Sequence, residues 1–191
     1  HGSGVITIEG VEKLKPSEYA IMPDRIEAGT LLIAGAITGG QVTVEKMVSH
    51  HIDSLIGKMT EAGFRFDVQV NAVTVLPNPK NFKWSAVDIT TNPYPLFPTD
   101  LQAQYMALMT VAEGTSIITE TVFENRFMHV QELVRLNADI TPKTRVAGGP
   151  GQPKGLTGAP GMATDLRATR SKNSAATTME VMSSPLLESI R

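Results

Sequence analysis

Cysteine is absent from the 191-residue chain, which excludes disulfides, thiolate metal sites and thiol catalysis within it. An excess of charge is missing too. The formal net charge is -2 and no block of Lys or Arg stands out. That argues against nucleic acid or an anionic membrane as the main partner, although a small anionic ligand needs only a few local cations. There is no long hydrophobic run: the longest, residues 31–37, is far too short to span a bilayer. Residues 1–10 carry no signal-peptide pattern, so a cytoplasmic protein is the expectation. His129 stands near Glu120 and Glu124, but the spacing fits no metal-ligand pattern, and neither metal nor cofactor is expected. What is present is a globular composition, 41% hydrophobic and 19% charged, on a chain long enough to close a core.

The chain reads as one unit used twice with a third copy begun. Pro23-Asp24-Arg25-Ile26-Glu27-Ala28, an apolar stretch and Gly39 recur as Pro98-Thr99-Asp100-Leu101-Gln102-Ala103, an apolar stretch and Gly114, 75 residues later. A β-rich run follows each glycine, Gln41-Val42-Thr43-Val44 and then Ser116-Ile117-Ile118-Thr119, and a second helical pattern follows each run, over residues 51–62 and 130–137. Ala163-Thr164-Asp165-Leu166-Arg167-Ala168 opens the third copy. The simplest sequel is an α/β domain of repeated βαβαββ units.

Local signals agree. Pro98 precedes a helix start, and Thr99 suits an N-cap whose hydroxyl accepts from a free backbone N–H. The helix predicted over residues 101–112 is apolar on most faces, through Ala103, Tyr105, Met106, Leu108, Met109 and Val111, and should be buried. Gly39 and Gly114 sit where a left-handed residue would release each helix. Residues 145–161 contain Gly148-Gly149-Pro150-Gly151, Pro153, Gly155, Gly158 and Pro160-Gly161 and read as a loop. No Gly-Lys-Ser/Thr closes that stretch, so a phosphate-cradling role is disfavoured.

Four stretches carry a resemblance. They are Ile6-Thr7-Ile8-Glu9-Gly10-Val11-Glu12 with Pro23-Asp24-Arg25-Ile26-Glu27-Ala28-Gly29-Thr30; Phe97-Pro98-Thr99-Asp100-Leu101-Gln102-Ala103-Gln104; Glu120-Thr121-Val122-Phe123-Glu124-Asn125-Arg126-Phe127-Met128-His129; and Met162-Ala163-Thr164-Asp165-Leu166-Arg167-Ala168. In this set and order the chain resembles the UDP-N-acetylglucosamine enolpyruvyl transferases. The resemblance implies an inside-out α/β barrel of βαβαββ units, incomplete here, corresponding to the later of two domains. The expected layout is an enolpyruvyl transferase domain over residues 1–168, with units at about 17–90 and 91–147 and a truncated third from 154, then a divergent tail over 169–191. The related 3-phosphoshikimate enolpyruvyl transferases share the fold and the phosphoenolpyruvate chemistry but lack the Phe-Glu-Asn-Arg-Phe-Met-His stretch.

The resemblance also implies a reaction: the sugar 3′-hydroxyl of UDP-N-acetylglucosamine adds to C2 of phosphoenolpyruvate, and phosphate then leaves. The hydroxyl must lose a proton, which calls for a positioned base, and the family gives that role to the residue matching Asp100. The plainer reading of Asp100 is an acidic residue complementing a helix N-terminus. Val122, through its backbone, and Phe123 match a loop that touches the nucleotide sugar. Arg126 is implied in substrate binding, the plainer alternative being a surface salt bridge with Glu124 or Glu120. Arg167 matches an arginine facing phosphoenolpyruvate, where a guanidinium grips an anion bidentately, and Asp165 matches a neighbouring active-site residue. The family's cysteine loop and further arginines belong to the first domain, which is the implied partner, and the polar run after Ala168 departs from the family pattern. By itself the chain is expected to be inactive, and a non-catalytic remnant or nucleotide-sugar-binding module is the alternative.

Overall fold

In the computed structural model the described residues are 5–152 and 155–158. Among the described residues, four α-helices and seven strands follow one another as α1 (Arg25–Ile37), β1 (Val42–Glu45), α2 (Asp53–Ala62), β2 (Phe66–Val68), β3 (Ala72–Val75), β4 (Ile89–Thr90), α3 (Gln102–Met109), β5 (Thr115–Thr119), α4 (Val130–Arg135), β6 (Thr141–Pro142) and β7 (Val146–Pro150). Short 3-10 turns, Ser49–Ile52 and Thr99–Leu101, lead into α2 and α3. From β4 to β7 the order is β-α-β-α-β-β, one full unit. From α1 to β3 it is the same order without its first strand.

The two sheets repeat one topology. β1-β3-β2 is antiparallel, and β5-β7-β6 has the same arrangement, with β4 added in parallel beside β5. A helical crossover through α3 makes the β4–β5 pair parallel, whereas the short connections β2–β3 and β6–β7 form antiparallel hairpins. α1 and α3 lie between the sheets in one continuous core that includes Leu32, Ile33, Val73, Leu101, Leu108 and Ile118. These two helices are central and the sheets lie outside them, as the family resemblance implies.

The central helix explains its own position. All eight residues of α3 are buried, and the burial runs from Leu101 through Ala112. An apolar helix of that kind is stable only when covered on every side. α1 is tied down at both ends. The Asp24 carboxylate accepts from the N–H groups of Ile26 at 2.7 Å and Glu27 at 3.4 Å, and Gly39, at φ 72, releases the chain so that Gly40 N–H reaches Gly35 O at 3.1 Å. Asp24→Ala is expected to cost about 1 kcal/mol, read as a lower urea midpoint at unchanged m-value.

Two expectations are corrected. Residues 146–150 are not loop but the strand β7, paired on one side with β5 and on the other with β6. Its glycines are there for proximity. A Cβ on Gly149 would lie 1.8 Å from Asp139 O, and one on Gly148 would lie 2.6 Å from Ser116 O, so backbone from neighbouring segments fills the space of a side chain. Thr99 does not cap its helix, since no side-chain cap bond forms at the start of the turn. Its hydroxyl instead donates to Glu120.

Candidate functional site

The site begins with two segments that lie on either side of α3 and β5 in the sequence. The first is the turn Thr99–Leu101 that opens α3. Phe97 is buried just before it and packs edge-to-face on Tyr105 with ring centroids 5.2 Å apart, which anchors Pro98 and so aims Asp100 outward. Gly29 of α1 faces the Leu101 side chain at close range, fixing the turn from the other side. The second segment leaves β5. β5 alternates, with Ser116 and Ile118 inward, and continuing that period of two places Glu120 inward as well. Glu120 N–H is held by Arg145 O at 2.8 Å. Thr121 donates from its backbone N–H to the Thr91 hydroxyl at 3.1 Å and from its hydroxyl to Thr91 O.

Beyond Glu120 the chain turns sharply. Val122 and Phe123 N–H both donate to one Glu120 oxygen, at 2.9 and 3.1 Å. Asn125 then takes a left-handed conformation, φ 54, which an asparagine tolerates better than most residues. That reversal directs Arg126 back across the first segment. Its guanidinium donates to Asp100 Oδ1, and its Cζ sits 4.4 Å from the centre of the Phe123 ring.

Four of the sequence-predicted residues, Asp100, Val122, Phe123 and Arg126, therefore meet on one surface. Arg126 is 6% exposed in its side chain and Asp100 is 53% exposed: the cation is rooted and the carboxylate faces outward. The surface-bridge alternative for Arg126 is corrected by this pairing, because its partner is Asp100, while Glu124 pairs with Arg145 at 2.8 Å. Nor is Asp100 only a helix-end charge, since it engages a specific guanidinium. Arg126 holds Oδ1, and among the described residues no hydrogen bond engages Asp100 Oδ2. A carboxylate held by one oxygen and open at the other can take a proton from a hydroxyl placed against it. Asp165 and Arg167 lie outside the described residues.

Sequence reasoning missed Glu120. Burial by itself would raise its pKa. Hydrogen bonds from the Thr99 and Thr91 hydroxyls and from the Phe123 and Val122 N–H groups outweigh that effect and hold the carboxyl below its ordinary range. A carboxyl with a depressed folded pKa contributes stability above its unfolded pKa, and that contribution is lost as pH falls through the folded pKa. Urea unfolding of the wild-type chain is therefore expected to show a decline below the ordinary glutamate range that is shallower in Glu120→Gln. Equal declines would remove Glu120 as a source of acid sensitivity. Among the described residues no cluster of three or more His, Cys, Asp or Glu side chains could hold a metal ion, and no helix is long and apolar enough to cross a membrane.

Comparison with known proteins gives the family. Residues 1–181 match the family model described as EPSP synthase (3-phosphoshikimate 1-carboxyvinyltransferase). The chain belongs to that family of enolpyruvyl transferases. Within it, the chain is 69% identical over 171 residues to the UDP-N-acetylglucosamine 1-carboxyvinyltransferase of Bdellovibrio bacteriovorus, a match that covers 90% of this chain and 41% of that protein. It is 55% identical over 170 residues to the enzyme of the same name from Myxococcus xanthus, covering 89% and 40%. The chain thus spans about two fifths of the length of these relatives. Among solved structures, the enolpyruvyl transferase NikO from Streptomyces tendae aligns with a TM-score of 0.70 at 27% identity, over 83% of this chain and 37% of that one.

Proposed function

We propose that the chain is the base-bearing part of a UDP-N-acetylglucosamine enolpyruvyl transferase. The observation that carries this reading is the outward-facing Asp100, held at one oxygen by the buried Arg126 beside Phe123 and Val122, on a chain 69% identical to an enzyme of that name. In the reaction the sugar 3′-hydroxyl approaches Asp100 Oδ2 and gives up its proton as the oxygen bonds to C2 of phosphoenolpyruvate. C3 takes a proton from an acid. C2 then loses phosphate and C3 loses a proton, leaving the enolpyruvyl ether.

Arg126 orients the base, and the exposed faces of Phe123 and Val122 receive the nucleotide sugar. Arg167 and Asp165, assigned by resemblance, would meet the phosphoenolpyruvate side. The acid and a second wall belong to the remaining three fifths of the family enzyme, supplied as a first domain. This chain would fill the domain 1–168 with its units and tail as laid out above. Such an enzyme would act in the cytoplasm, at the committing step of peptidoglycan synthesis, with roles in cell shape and division.

The family model's own description names a different acceptor, 3-phosphoshikimate, so the test offers both. The chain, joined to the first domain of a family relative, is incubated with phosphoenolpyruvate and either UDP-N-acetylglucosamine or shikimate 3-phosphate, and products are weighed by mass spectrometry. An enolpyruvyl ether of the nucleotide sugar with equal release of phosphate is expected. Product from shikimate 3-phosphate alone would replace the acceptor, and binding without product from either would leave a nucleotide-sugar-binding module.

A further inference from the structure

Building on the transferase reading, the geometry assigns Glu120 as a positioning residue, whose carboxylate clamps the Asp100 turn and the Val122-Phe123 turn into one substrate-facing surface. Glu120 is 1% exposed, so its own carboxylate does not act on substrate. Its two oxygens serve different segments. Oε2 accepts from the Thr99 hydroxyl at 2.7 Å, next to the base Asp100. Oε1 accepts from the N–H groups of Val122 at 2.9 Å and Phe123 at 3.1 Å. A carboxylate is planar and rigid, so fixing one oxygen on each segment fixes the distance between them. Hydrogen bonds to an ionised acceptor are roughly twice as strong as neutral ones, and in this buried setting water does not compete for them.

The visible link across the site is weaker. The Asp100–Arg126 pair has an acid side chain that is 53% exposed, and exposed ion pairs hold geometry poorly. Phe123 is itself half exposed and rests on the Arg126 guanidinium. With the Glu120 clamp removed, Phe123 and Arg126 can slide together relative to Asp100. Misplacement by about 1 Å at a reacting centre costs about a hundredfold in rate. Thr91 supports the same clamp, holding Thr121 by two hydrogen bonds.

The arms can be cut separately in the chain joined to the first domain of a family relative. Thr99→Val removes only the arm to the base and is expected to lower kcat about tenfold while leaving KM for UDP-N-acetylglucosamine unmoved. Glu120→Ala cuts both arms and is expected to lower kcat by about 10–100-fold and to raise that KM as well. Glu120→Gln should retain most activity, because the amide oxygen still accepts from both N–H groups and the amide nitrogen donates to the Thr99 hydroxyl. A purely structural Glu120 would change stability while leaving kcat and KM of the folded enzyme alone in all three variants, and that result would overturn the proposal.

A second readout does not depend on catalysis. In 15N spectra of the chain, the amide protons of Val122 and Phe123 should titrate together, below the ordinary glutamate range, and the titration should vanish in Glu120→Gln. Independent titration of the two amides, or none in the wild type, would also overturn the clamp. Should the wild-type assembly make no product, the transferase reading fails and the amide titration still decides the clamp.

Discussion

Asp100→Asn in the chain joined to the first domain of a family relative is expected to lower kcat by roughly 10²–10⁴-fold, the usual cost of removing a general base, with binding of UDP-N-acetylglucosamine changed far less. The amide keeps the shape of the carboxylate and can still accept from Arg126 through its oxygen, so the turn Thr99–Leu101 should stay in place. What it cannot do is take a proton from the sugar hydroxyl. Arg126 fixes one carboxylate oxygen, and in the proposed reaction the other takes the proton. The measurement is steady-state kcat beside calorimetric affinity for the nucleotide sugar. A wild-type kcat would remove Asp100 as the base, and an equal loss in affinity would make it a binding group.

The second large effect is on folding. Gly149→Ala is expected to destabilise the chain by about 3 kcal/mol or more, at or beyond the upper end of ordinary overpacking. The added Cβ would lie 1.8 Å from Asp139 O and within 3.2 Å of Ile140 Cα. Both neighbours are backbone, with no flexible side-chain end to swing away. β7 is the inner strand between β5 and β6, so it cannot retreat without breaking pairings on one side. Because β7 pairs with β5 from Thr119 back to Thr115 and Arg145 O holds Glu120 N–H, the damage should reach the site. A urea midpoint close to wild type would show that the strand has slack the structure does not display.

Much of the fold was legible because its signals are local. α3 is apolar through Ala103, Tyr105, Met106, Leu108 and Met109, and only full burial suits that composition. Gly39, at φ 72, directly follows the C-cap Thr38 and releases α1 as expected. α3, by contrast, already ends at the C-cap Thr110, so Gly114, at φ 103, turns the chain into β5 and does not release the helix. β7 was illegible for a physical reason: Gly148, Gly149 and Pro150 signal a loop when read alone, and only contact with Asp139 and Ser116 makes the missing side chains an asset.

The site divided in the same way. Asp100, Val122, Phe123 and Arg126 were picked out by resemblance, but the Asp100–Arg126 pair joins residues 26 apart, and nothing local announces it. Thr99 was given a capping role from its position, and tertiary structure redirected its hydroxyl to Glu120. Glu120 did carry a signal. It extends the inward series Ser116 and Ile118, and a glutamate on a core-facing strand position must find partners or lose its charge.

The most direct measurement is titration of UDP-N-acetylglucosamine into the assembled protein with this chain 15N-labelled. The account predicts that the largest amide shifts fall at Asp100, Val122, Phe123 and Arg126, and that phosphoenolpyruvate perturbs a neighbouring set. Shifts that leave those four untouched and gather elsewhere, such as the groove of about 520 Å³ between Lys58, Asp88 and Asn92, would contradict it.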